Sequence, residues 1–169
     1  MADMDERLNQ WLRDAHAMEL QAEQMLDAQA HRIENYPELS ARIEQHIIET
    51  RSQKQRLESC IERRGTTWSG MKDFAGQFTA VMQTVGGMFA GDEVVKGVLV
   101  SYAFEHLEIA SYRILQAGAE AAGDVETARV CEEICREEEA MAAWIEEHIP
   151  QVTQAYLMRD ATESEAAKR

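Results

Sequence analysis

Apolar positions recur at intervals of three and four along most of this chain, the period at which one face of an α-helix returns. A first stripe, Leu8, Leu12, Ala15, Ala22 and Leu26 with Glu19 in its line, predicts a helix from about Met4 to Ile33. Asn35, Tyr36 and Pro37 break the pattern, and Pro37 suits the first turn of the next helix. That helix is predicted to reach about Arg64 on Leu39, Ile43, His46 or Ile47, Thr50, Gln53 or Lys54, Leu57 and Ile61, with Gly65 as its cap. A third stripe, Val98, Tyr102, Glu105, Ile109, Tyr112 and Gln116, predicts a helix from about Glu93 to Ala122. Gly123 and Asp124 turn the chain. Ala128, Cys131, Cys135, Glu138, Ala142 and Ile145 then carry a fourth helix from about Val125 to His148. Pro150 is expected to begin a kink or an extension, with one or two further turns over Val152 to Met158 and a frayed tail.

The segment from Thr66 to Asp92 is different in kind. Glycines gather there, together with Trp68, Phe74, Phe78 and Phe89, and Phe74, Phe78, Val81, Met82 and Val85 suggest a short amphipathic helix. A link of this length can cross along a bundle and join two antiparallel helical hairpins. The expected fold is therefore all-α: an antiparallel four-helix bundle of two hairpins over residues 1–150, with 151–169 as a C-terminal helical extension or frayed tail. The aromatic residues of the link are expected to cover one end of the bundle or to join a homodimer, since that much apolar surface is costly to leave in water.

Composition agrees with helices and narrows the function. Helix-favouring residues dominate, β-branched and aromatic residues are sparse, and there are only two prolines. The net charge of −14 argues against nucleic acid, whose binding needs clustered Lys and Arg, and suits a protein that attracts cations. Three cysteines, an odd number in a chain of 169 residues, read as reduced thiols in the cytoplasm. Cys131 and Cys135, four apart, could in principle take a soft metal, but buried cysteine is more often a small core residue. The opening MADMDERLNQ has neither the basic nor the apolar part of a signal peptide, and the apolar run from Val94 to Phe104 contains Lys96 and is too short to cross a bilayer. No membrane association is expected.

The chemistry lies in carboxylates that fall on or beside the apolar stripes. Glu19, Glu49, Glu108 and Glu138 stand one to each helix, and Glu19 to Glu49 spans the same number of positions as Glu108 to Glu138. The shift that carries the first pair onto the second also carries Leu26 onto Leu115, Ala30 onto Ala119 and Glu44 onto Glu133, a weak internal repeat of two hairpins. If the hairpins pair about an approximate two-fold axis, four carboxylates meet. Buried carboxylates that meet must be protonated or neutralised, and two divalent ions neutralise four of them. Further donors stand one turn away: His16 three before Glu19, His46 three before Glu49, Glu105 three before Glu108, and Gln53 one turn after Glu49. Oxygen donors with a little imidazole nitrogen suit iron first, with manganese or zinc as alternatives. The plainer reading is that most of the 31 acidic residues are solvated helix surface.

Several runs carry a family resemblance. They are Arg13 and Asp14 before Glu19; His46, Glu49 and Thr50 before Gln53 and Arg56 to Glu58; Glu105, His106, Glu108, Ile109, Ala110 and Tyr112; and Glu137 with Glu138. Together they resemble the YciE/YciF-type ferritin-like proteins, bacterial proteins associated with stress, over nearly the whole chain to about His148. The resemblance implies a ferritin-like four-helix fold, a dimetal site on Glu19, Glu49, Glu108 and Glu138 with Glu105, and dimerisation. Two departures stand out: Ala142 where the family often has Asp, and His16 where it often has Tyr. The expected function is a dimetal-carboxylate protein, of the di-iron kind, that reacts with oxygen or peroxide in stress protection and draws on an unknown redox partner. The alternative is a metal-stapled or purely structural helical dimer module without turnover. The metal ligands expected are Glu19, Glu49, Glu108, Glu138, Glu105 and His46, with His16 and Gln53 as outer candidates.

Overall fold

A computed structural model of the chain describes residues 2–30, 33, 35–68 and 93–166. Four helices account for nearly all of them: α1 (Ala2–Ala30), α2 (Pro37–Arg63), α3 (Glu93–Ala121) and α4 (Val125–Ala166). α1 packs on α2 and on α3, and α4 packs on α3 and on α2. The bundle is therefore two hairpins laid side by side, α1 with α2 and α3 with α4. Phe74, Phe78 and Phe89, and the short helix expected around them, lie outside the described residues.

The ends follow local chemistry. Gly65 (φ 72°) and Gly123 (φ 74°) take the left-handed conformation that closes a helix, which a Cβ would strain. Asp124 starts α4 by accepting from the Thr127 N–H at 3.0 Å, a side-chain N-cap. Its carboxylate also takes Arg63 (3.0 Å) and Arg64 (2.7 Å) from the end of α2. Arg64 continues to Asn9 (2.6 Å) and Asp5 (3.0 Å) on α1, so three helices are tied at one end of the bundle. Ile33, the expected end of α1, is buried outside the helix, and residues 31 and 32 lie outside the described residues. α4 differs more. It runs as one helix through Pro150 to Ala166 rather than ending near His148. Proline removes one backbone bond, but Val152 beyond it is buried and Gln151 donates to Glu38 on α2 at 2.9 Å, so contacts across the bundle carry the helix onward.

The core has two apolar parts. One, nearer the arginine-tied end, includes Leu8, Leu12, Met18, Leu57, Ile61, Phe104, Leu115, Cys131 and Ile134. The other includes Leu26, Ile33, Leu39, Ile43, Ile47, Val98, Met141 and Ile145. Trp68 packs against the first part, with its ring 5.8 Å from that of His16. A band of buried polar side chains is interposed between the two: Glu19, His46, Thr50, Gln53, Glu105, Glu108 and Glu138.

Candidate metal centre

Each helix delivers its donors through the stripe that builds the core. Glu19 continues the line of Ala15 and Ala22, and Glu138 that of Cys135 and Ala142. Packing those stripes inward carries the carboxylates with them. Glu19 and Glu138 are wholly buried, and His46, Glu105 and Glu108 are 1% exposed. His46, Glu105, Glu108 and Glu138 each offer one ligand atom such that all four atoms lie within 4.8 Å of one another. His46 Nε2 stands 3.3 Å from Glu105 Oε2 and 3.4 Å from Glu138 Oε2. Glu19 adjoins this group closely enough that its charge and those of Glu108 and Glu138 oppose one another.

Three neighbours hold the donors in place. Tyr112 Oη donates to Glu19 Oε1. Gln53 Nε2 donates to Glu138 Oε1 and, at 3.0 Å, to Glu137 Oε2, which also takes Arg56. Glu49 Oε2 lies 2.8 Å from His46 Nδ1. Glu49 is a quarter exposed at its side chain and also accepts from Arg42 (3.1 Å) and Gln45 (2.9 Å). Its place in this structure is behind the imidazole, not among the clustered oxygens. His16 is buried but points elsewhere, with Nε2 2.8 Å from Glu58 Oε1. Glu19, Glu105, Glu108, Glu138 and His46 are thus brought together, Gln53 touches them, Glu49 backs His46, and His16 stands apart. Tyr112 is the residue that sequence reasoning placed on the core stripe without assigning it a partner. The available signal was its spacing, four after Glu108 on the same face.

The electrostatics follow from burial. Loss of water pushes the Glu19 and Glu108 carboxyls well above their ordinary range, and the neighbouring Glu138 charge pushes both further. Glu138 rises to about 8, chiefly by burial, although His46 pulls the other way. Burial alone would lower His46, but the carboxylates of Glu105, Glu138 and Glu49 around its ring reverse this and raise it well above its usual value. Glu49, only partly buried, falls to about 2 because His46 and Arg42 outweigh its desolvation.

The donor set can be tested for fit to metal by asking what its atoms lack. Among the described residues, Glu19 Oε2, Gln53 Oε1, Glu105 Oε2, Glu108 Oε1 and Glu138 Oε2 are buried without a hydrogen-bond partner. A buried acceptor left unpaired costs on the order of 1–3 kcal/mol, more if charged. Five such oxygens, gathered from all four helices, would be satisfied together by cations. The charge count agrees: four carboxylates, Glu19, Glu105, Glu108 and Glu138, balance two divalent ions when His46 is neutral. The residues fit a metal centre. Cys60, Cys131 and Cys135 are free, buried thiols and contribute nothing to it.

Comparison with known proteins follows the same lines. The profile of a family described as a domain of unknown function, DUF892, matches residues 3–158. A protein of known structure from Xanthomonas campestris pv. campestris is 44% identical, with 94% of this chain and 99% of that one covered at a TM-score of 0.81. The E. coli stress protein YciF is 22% identical over 91% of this chain and 99% of its own, with a TM-score of 0.78. The bacterioferritin of Desulfovibrio desulfuricans, described with a diiron site, is 23% identical over 93% and 88%, with a TM-score of 0.73. The last two likenesses show the fold, a ferritin-like helical bundle.

Proposed function

This chain belongs to the DUF892 family, and on that footing we propose that it is a ferritin-like dimetal-carboxylate protein that holds two divalent ions, iron first, between its two hairpins. The observation that carries the reading is the set of five buried oxygens without donors, drawn from all four helices. Glu19, Glu105, Glu108 and Glu138 would supply the carboxylates, and His46 would supply Nε2. Glu49 accepts the Nδ1–H of His46, which fixes the tautomer and aims Nε2 inward, the usual arrangement behind a metal-binding histidine. Gln53 and Tyr112 each occupy one oxygen of a carboxylate, of Glu138 and Glu19 respectively, and leave the other free. The apolar parts of the core on either side exclude water and strengthen every interaction between them.

Ferrous ions bound there would supply the electrons for reduction of dioxygen or peroxide. A role in stress protection is proposed by likeness to the YciF stress protein, and the diiron site of the bacterioferritin supports iron. Metal analysis of protein purified without chelator, followed by anaerobic titration with ferrous ion, tests the reading. Two ions per chain are expected, with uptake abolished or halved by Glu108→Gln. A parent protein that takes up no ferrous, manganous or zinc ion beyond the Glu108→Gln variant would overturn it.

A further inference from the structure

A groove between the first turns of α3 and the stretch of α4 around Pro150 has a chemistry of its own, apart from the metal centre. It encloses about 230 Å³, and its walls include Val95, Lys96, Leu99 and Tyr102 of α3 with Ile149 and Val152 of α4. Ile149 is 37% exposed, and Val95, Leu99 and Tyr102 are half-buried, so the apolar wall is open to solvent. Thr153 adds a hydroxyl, which already donates to the Ile149 carbonyl at 2.7 Å. Lys96 and Tyr102 stand toward opposite ends of the groove, about 9 Å apart along the helix axis. The Tyr102 ring is set edge-on to that of His106, with 4.6 Å between centroids.

The charge in this wall selects the occupant. Lys96 is half-buried, and among the described residues it makes no ion pair or hydrogen bond. The other described Lys and Arg side chains, the exposed Arg7 aside, each have a partner. Acidic residues outnumber Lys and Arg 31 to 17, so an ammonium that finds none of them is conspicuous. Two other grooves of similar size take an acid into their lining, Asp14 in one and Glu38 in the other, and this one takes none. An apolar trough with a lone ammonium toward one end complements an amphiphile with an anionic head. The wall also selects against a peptide, because the helices use their own backbone groups and a peptide's buried amides would go unpaired. An acyl chain has no such groups to satisfy. A surface of anionic lipid would be repelled by the net charge of −14.

We propose that this groove binds a free medium-chain fatty acid, its carboxylate at Lys96 and its chain along Val95, Leu99, Ile149 and Val152 toward Tyr102. Calorimetric titration of the full chain near neutral pH, with chelator present, tests this with hexanoate, octanoate and dodecanoate. Each methylene should tighten binding about fourfold until the trough of about 9 Å is full. Octanoate should therefore bind more tightly than hexanoate, and dodecanoate should add little. Lys96→Gln should weaken octanoate about tenfold or more and leave octanol, which has no charge, unchanged. Leu99→Glu sets a carboxylate in the wall and should abolish binding of both, with helical circular dichroism kept. The proposal is overturned if the parent binds no octanoate, or if Lys96→Gln weakens octanoate and octanol alike or neither. It is equally overturned if Leu99→Glu leaves octanoate binding intact. A parent that refuses octanoate while Leu99→Glu lowers its Tm or its solution mass has this face covered by the chain or by a second copy. Binding confined to vesicles of anionic phospholipid would mean a membrane surface. Both results overturn the proposal as well. With chelator present, none of these outcomes depends on metal.

Discussion

Replacing Glu138 by Gln keeps its shape and removes one charge from the buried group. Gln53 Nε2 donates to Glu138 Oε1, a bond that an amide oxygen can keep, and the new NH2 would face oxygens that lack a donor. In the metal-free protein the parent carboxyl titrates near 8, mainly because it is buried. An unfolded Glu titrates near 4.3, so at pH 7 the folded state carries a penalty of about 3–4 kcal/mol from this group. Loss of the contact to His46, 3.4 Å away, offsets part of it. The net gain for Glu138→Gln without metal should be on the order of 2 kcal/mol, or about 4–8 °C in Tm for a chain of this size. The sign with pH is definite. A carboxyl raised in the folded state favours folding most below its unfolded pKa, and that contribution is lost as pH rises from about 4 toward 8. The metal-free parent should therefore lose stability over that window, and the variant less steeply. With ferrous or manganous ion the order should reverse, because ions that bind only the folded state stabilise it by mass action and the variant binds them less. Thermal melts of both proteins at several pH values, with chelator and with metal, would decide. If the two melt alike in every condition, Glu138 carries no electrostatic strain and the metal reading loses its support.

Glu49→Gln should lower metal affinity by about 10–100-fold through the loss of the carboxylate behind His46, with little change in fold, as read by calorimetric titration. Tyr112→Phe removes the donor to Glu19 Oε1 and leaves both oxygens of a buried carboxyl unpaired. Denaturant unfolding of the metal-free variant should show a loss of about 1–3 kcal/mol. Asp124→Ala should cost about 1–2 kcal/mol through the helix cap alone, whereas Asp124→Asn should keep the cap and lose the pairing with Arg63 and Arg64. Although partial burial would raise it, Asp124 is held at about 2 by Thr127 and the two arginines. Its contribution is therefore complete above the ordinary carboxylate range near 3.9 and lost as pH falls from about 4 toward 2, a decline that Asp124→Asn should flatten in acid melts.

The helices are legible because their stripes are regular, and of Glu137, Glu138 and Glu139 it is Glu138 that keeps period with Cys131, Cys135 and Ala142. Periodicity gives a face, and it does not give depth or partner. His16, three before Glu19 and an outer candidate for the site, is buried, yet it turns to Glu58, a choice made by side-chain geometry that spacing does not contain. The internal repeat sets Glu49 and Glu138 as equivalents, but Arg42 and Gln45 draw Glu49 outward, while nothing comparable competes for Glu138 among the described residues. The Tyr112 bond to Glu19 joins residues 93 apart in sequence and exists only once α1 and α3 are packed. The passage of α4 through Pro150 was hidden for a related reason: proline's local penalty is visible in sequence, and the contacts of Gln151 and Val152 that outweigh it are not.

The length of α4 has a consequence of its own. At 42 residues it is about 63 Å long, against about 43 Å for the 29 residues of α3. Because the two share the turn at Gly123, the last three turns or so of α4 extend past the start of α3, and residues 157–162 are exposed. A free peptide of that length would scarcely form helix in water, since starting a helix is the expensive step. Here the starting cost is already met by the packed part, so each further turn needs only to continue. The overhang is then a one-ended helix–coil equilibrium. Its amide protons should exchange progressively faster from residue 154 toward Ala166, while those of the bundle exchange together as one cooperative unit.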